Sequence, residues 1–138
     1  MSDGPGARSD AAKKVPEVHL ALPATPEFVR LARVTATGLA SRAGFSIDEV
    51  EDLRLAIDEL CFTLIGPKGR EGRLELRYRL DGTALEVEGS VDCEDGTVPR
   101  LSDWSDQILD ALVDEHEVGR TVGAGNAECG FRMLKRAG

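Results

Sequence analysis

Asp52, Glu59 and Thr63 are the residues whose types and spacing could do chemistry, with the small Ala56 between them. Steps of four, three and four residues stack these positions on one helix face, so their side chains can reach one ligand. A carboxylate can take a proton from an attacking group, and carboxylate and hydroxyl oxygens can hold a hard cation. The same set of residues also makes an ordinary solvated helix face.

The element that must carry them is Ser46 to Ile65. Ser46 and Glu49 have the spacing of a capping box, and Phe45 and Val50 flank it as a hydrophobic staple. Such caps stabilise a helix start by roughly 1 kcal/mol. Val50, Leu53, Ile57, Leu60 and Leu64 recur at three- and four-residue steps, which predicts a second, apolar stripe facing a core.

Asp52-Leu-Arg-Leu-Ala-Ile-Asp-Glu-Leu-Cys61 resembles the N-box helix of the GHKL ATPase superfamily. Within it, the stretch is most similar to anti-sigma factors of the RsbW and SpoIIAB kind, in the version common in actinobacteria. The family helix carries Glu-x-x-x-Asn. The resemblance implies Glu59 as the general base and puts Thr63 at the Asn position that holds magnesium. A Thr oxygen can coordinate Mg²⁺ directly or through water. Ala32-Arg33-Val34-Thr35 is similar to a segment of the sporulation anti-sigma factors, which implies a sigma-factor contact for Arg33. A solvated surface Arg is the alternative.

The family's Asp-x-Gly-x-Gly box falls at Ser90-Val-Asp-Cys-Glu-Asp-Gly96. A gapless match puts Ser90 at the adenine-recognising position, and a two-residue shift puts Asp92 there. The family's glycine-rich lid is replaced by Leu101-Ser-Asp-Trp-Ser-Asp106, which has no glycine. Asp103 and Asp106 favour a helix start and repel a triphosphate.

Composition narrows the classes. The chain has 138 residues and a net charge of −8, which suits one domain with a real core and disfavours direct nucleic-acid binding. No run of 18 apolar residues predicts a membrane span, and residues 1–14 have no apolar centre of a signal peptide. Cys61, Cys93 and Cys129 are odd in number and far apart. Their spacing fits neither a zinc site nor a disulfide framework, so Cys61 is expected as a small hydrophobe, Cys93 as a loop thiol, and the compartment as the cytoplasm.

In chain order, residues 1–14 read as a disordered tail and 15–138 as a single domain. Val18, Leu20 and Leu22 alternate in a first strand. Thr25-Pro26-Glu27 reads as a capped helix start, with Phe28, Leu31, Ala32, Thr35 and Leu39 on the inner face. Asp81-Gly82 predicts a two-residue hairpin loop, which sets Leu76 opposite Val87 and Arg77 opposite Glu86. Ser102 can cap a third helix with Trp104, Ile108, Ala111 and Leu112 on one face. Glu115–Val122 and Cys129–Arg136 read as closing strands, and there is no internal repeat.

The expected fold is α+β, a two-layer sandwich of the GHKL kind, its sheet mixed but mostly antiparallel with helices on one face. The resemblance spans roughly residues 17–136. It implies an anti-sigma factor of a partner-switching system, which binds and inhibits an alternative sigma factor. A STAS-type anti-anti-sigma partner releases it, and family members form homodimers. One reading is binding with a degenerate nucleotide site. The alternative is an ATP-dependent serine kinase, using ATP/ADP with Mg²⁺, that phosphorylates the STAS partner. A domain of this fold with an unrelated ligand is a third.

Overall fold

The structure, a computed structural model, describes residues 15–93, 99–120 and 128–138. The expected tail and the glycines around 96 and 123–125 lie outside the described residues. Alternating sequence builds five strands, β1 (Glu17–Pro23), β2 (Arg73–Asp81), β3 (Ala84–Asp92), β4 (Glu115–Arg120) and β5 (Glu128–Arg136). They form one sheet in the order β1-β2-β3-β5-β4. All four pairings are antiparallel, where a partly parallel sheet is expected. The helix pair between β1 and β2 returns the chain to run antiparallel, and the remaining neighbours pair the same way.

Three helices lie on the sheet: α1 (Val29–Arg42), α2 (Ile47–Ile65) and α3 (Asp103–Leu112). α1 packs on β2 and β3, α2 on β3 and β5, and α3 on β4, with α2 between its two neighbours. The sequence-predicted α+β sandwich is the observed fold.

α2 forms as its sequence dictates. The Ser46 side chain accepts from the Glu49 amide and Glu49 accepts from the Ser46 amide, completing the capping box. Leu53, Ile57, Leu60 and Leu64 are buried, and so are Ala56, Cys61 and Ile65. The hairpin register differs from expectation by two positions. Asp81 pairs with Ala84, so Leu76 faces Gly89 and Arg77 faces Glu88. The loop is Gly82-Thr83, in which Gly82 takes the positive φ of 63° that tight hairpin turns use at their first position. A shift of two keeps every side chain on its face.

α1 is rotated from expectation. Pro26–Phe28 is a short 3-10 turn and the α-helix begins at Val29. Thr25 makes no cap, and its buried hydroxyl oxygen has no partner among the described residues. Val29, Ala32, Ala36 and Ala40 face the core, while Leu31 is 45% exposed. A stripe of alanines lets α1 sit close to its neighbours, and the Tyr78 hydroxyl donates to the Ala32 carbonyl at 2.9 Å. α3 is likewise turned: Leu109 is buried and Trp104 is 71% exposed.

The cysteines depart most from expectation. Cys93 and Cys129 are bonded to each other, with Cα atoms 5.8 Å apart. Their separation of 36 residues hides a meeting that only the β3–β5 pairing creates. Cys61 is the buried small hydrophobe expected.

Candidate functional site

Glu59 sits on α2, half-buried, with its carboxylate aimed at the start of α3. The Ser105 hydroxyl donates to Glu59 Oε2. Ser102, the N-cap of α3, accepts from the Ser105 amide at 3.0 Å and donates its hydroxyl proton to Ser105 Oγ at 3.1 Å. Ser102 thus aligns Ser105, and Ser105 engages the candidate base. The Thr63 hydroxyl donates to the Glu59 carbonyl at 2.8 Å. That is the back-bond a mid-helix Thr makes, and it leaves the oxygen's lone pairs as the only group Thr63 offers a ligand.

Arg70 joins this helix to the sheet. One guanidinium nitrogen donates to the Leu64 carbonyl at 3.3 Å and the other to the Asp92 carbonyl at 2.7 Å. Its amide donates to the Ala24 carbonyl at 2.9 Å. Gly69 beside it has φ 78°, and a Cβ there would stand 2.8 Å from the Ala24 oxygen, so the loop closes only with glycine. Arg70 therefore ties the residue after Thr63 to the end of β3.

The structure brings Glu59, Thr63 and the backbone of Asp92 into one linked unit, and it sets Arg33 apart. Arg33 lies on α1, with Nε 2.8 Å from Asp58 Oδ1 on α2, and the two side chains are 29% and 22% exposed. Arg33 is half of an interhelix ion pair, so it is not the freely solvated arginine of the alternative reading. Strand parity governs the adenine candidates. Gly89, Val91 and Cys93 are buried, while Ser90 and Asp92 alternate to the other face. Ser90 lines an open groove of about 740 Å³ on the helix-free face of the sheet, with Glu75, Arg77, Glu88 and Arg132. Neither Glu59 nor Thr63 lines that groove.

α3 is fixed at its far end as well. Lys135, buried on β5, donates to the Leu112 carbonyl at 2.6 Å and lies 3.8 Å from Asp52. A cation at a helix C-terminus satisfies an open carbonyl and the helix dipole together. Asp52, on the candidate stripe, thus faces a structural lysine.

A family model for the histidine kinase-like ATPase domain matches residues 22–119. The chain belongs to that family. It is 32% identical over 120 residues to the serine-protein kinase RsbW of Listeria monocytogenes serovar 1/2a, covering 72% of this chain and 76% of that protein. It is 36% identical over 73 residues to the RsbW of Bacillus subtilis and 33% over 75 residues to that of Bacillus pumilus. The chain spans about half the length of those two Bacillus relatives, 46% of each.

In this histidine kinase-like ATPase domain, α2 carries Glu59, the candidate base. Its described residues fit a magnesium nucleotide poorly. Thr63 presents one hydroxyl oxygen whose proton is already given to backbone. Ser90 and Asp92 alternate away from the helix layer, and Asp103 and Asp106 stand in the first turn of α3, where family phosphates would meet negative charge. Sequence reasoning missed Ser105, Arg70 and Asp58. Ser102-x-x-Ser105 is legible as a cap with a second hydroxyl, but its target on α2 is not. Nothing local marks Arg70 or Asp58.

Proposed function

We propose that this protein is an anti-sigma factor of the partner-switching kind. It binds and inhibits an alternative sigma factor through the helix layer, and a STAS-type anti-anti-sigma partner releases it. Its nucleotide site is degenerate. The observation that carries the last point is the engagement of Glu59: a base whose carboxylate accepts from its own Ser105 is not presented to a substrate hydroxyl. A homodimer belongs to the same proposal, and β1, an edge strand of the described sheet, leaves one side open for it. The cytoplasm is where such a protein would meet its partners. No described helix is long and apolar enough to cross a membrane.

The second reading is an active ATP-dependent serine kinase acting on the STAS partner. It is favoured by the retained Glu59 and by the relatives' name. Titration with Mg-ATP and Mg-ADP separates the two readings. Degeneracy expects no heat and no rise in melting temperature at millimolar nucleotide. Binding tighter than about 100 μM, about −5.5 kcal/mol, together with phosphate transfer that Glu59→Gln abolishes, replaces the first reading by the second. Co-elution with a sigma factor tests the binding function itself.

A further inference from the structure

Cys93 follows the last residue of β3, and Cys129 is the second residue of β5. Both are fully buried and joined, with Cα atoms 5.8 Å apart, a spacing that bridges ordinarily use. β3 and β5 are already paired at nine positions, from Ala84 opposite Arg136 to Asp92 opposite Glu128. Val91 and Phe131 pack in the core beside the bridge. The pairing of the two strands therefore does not depend on the bond.

What the bridge encloses is the excursion between its ends, which contains α3 and β4. Among the described residues, two polar contacts fasten α3 to the molecule outside the excursion, Ser105 on Glu59 and Lys135 on the Leu112 carbonyl, while Asp106 with His116 of β4 at 2.7 Å joins α3 to β4 within it. β4 is an edge strand, paired among the described strands with β5 alone. Joining residues 93 and 129 pins both ends of this excursion and removes much of its conformational freedom. Arg70 binds the carbonyl of Asp92, next to Cys93, so the pinned point is also tied to the end of α2.

From this placement we infer that Cys93 and Cys129 are a reversible redox switch: closed, the bridge holds α3 against Glu59; open, it loosens α3 and β4 and leaves the remaining sheet intact. Opening consumes one dithiol reductant. Its thiolate attacks one sulfur of the bridge and forms a mixed disulfide, and its second thiol resolves that bond. The protein gains two electrons and two protons, and the reductant leaves as a disulfide. Both bridging cysteines are buried, so attack waits on local opening of the strand ends. Cys61, buried and unbridged, takes no part. The switch stands independently of the anti-sigma reading.

The test is hydrogen exchange by mass spectrometry on the full chain, oxidised and reduced, after thiol counting by alkylation. Oxidised protein should show one alkylatable thiol after unfolding and reduced protein three. Exchange in 103–120 should rise about tenfold on reduction, the scale of losing one local tether, with β1 and β2 unchanged. Cys93→Ser/Cys129→Ser should show the fast pattern with or without reductant, and Cys61→Ser should switch like the parent. Wild type reduced by a phosphine gives the same reading should the double variant fold poorly. Three thiols in air-exposed protein, equal exchange in both states, or a bridge that excess dithiothreitol cannot open would each overturn the switch.

Discussion

Reversing the charge of Arg33 separates its two possible roles, because the structure gives it a partner that sequence did not. Arg33 Nε lies 2.8 Å from Asp58 Oδ1, and more than two-thirds of each side chain is covered. An exposed pair contributes up to about 1 kcal/mol, and this covered pair belongs near the top of that range. Arg33→Glu removes the attraction and substitutes a repulsion of similar size, a loss of about 2 kcal/mol. For a domain of this length about 1 kcal/mol moves the midpoint by about 4 °C, so thermal unfolding should fall by about 8 °C. Adding Asp58→Arg restores the attraction with its sign exchanged. Arg54, 4.0 Å from Asp58, would then repel the new arginine, so recovery should reach about half of the loss. Circular dichroism melts of the four proteins give the coupling, and calorimetric titration with a cognate sigma factor gives the contact. If Arg33 also touches the sigma factor, the swapped protein regains stability while its binding stays weak. An unchanged midpoint in Arg33→Glu refutes the energetic role of the pair. Full recovery of binding in the swap refutes the sigma contact.

Tyr78 is fully buried and its hydroxyl donates to the Ala32 carbonyl; Tyr78→Phe should cost about 1 kcal/mol in a denaturant melt at neutral pH. Burial first, and the neighbouring Cys61 second, push the Tyr78 hydroxyl far above its ordinary range. The folded state therefore keeps a proton that the unfolded state releases above about pH 10. Its contribution is complete below that pH and declines above it, and the Phe variant should lose that alkaline slope. Gly69→Ala meets both a 2.8 Å backbone contact and a φ of 78°, so it should destabilise by about 2 kcal/mol or more in the same melt, whereas Gly72→Ala, with open space around it, should lose less. Burial pushes the Cys61 thiol up to about 12, so iodoacetamide at pH 8 should label it only after unfolding. Ser102→Ala should cost about 1 kcal/mol as a lost cap, and it should raise hydrogen exchange at the α3 start more than Leu109-neighbouring amides.

The sequence by itself determined what depends on neighbours along the chain. The capping box, the apolar stripe of α2 and the alternation of β2 and β3 all follow from i to i+4 or period-two spacing, and so did the α+β class. Glu59 and Thr63 fall on one helix face for the same reason, and the family resemblance that singles out Glu59 needed only ten consecutive residues. Tertiary structure alone decided which groups those faces meet. Hydropathy favours Leu31 and Leu39 over alanine, yet α1 turns its alanines inward because close packing against α2 and the sheet needs small side chains there. The hairpin register slipped by two, with Gly82 at positive φ in the first loop position, a shift that leaves both faces unchanged and so leaves no mark in the pattern. Ser105 on Glu59, Arg33 on Asp58, Arg70 on the Asp92 carbonyl, and Cys93 on Cys129 join residues 22 to 46 apart. No local spacing records such contacts, because they exist only once the sheet order β1-β2-β3-β5-β4 has brought the ends of different elements together.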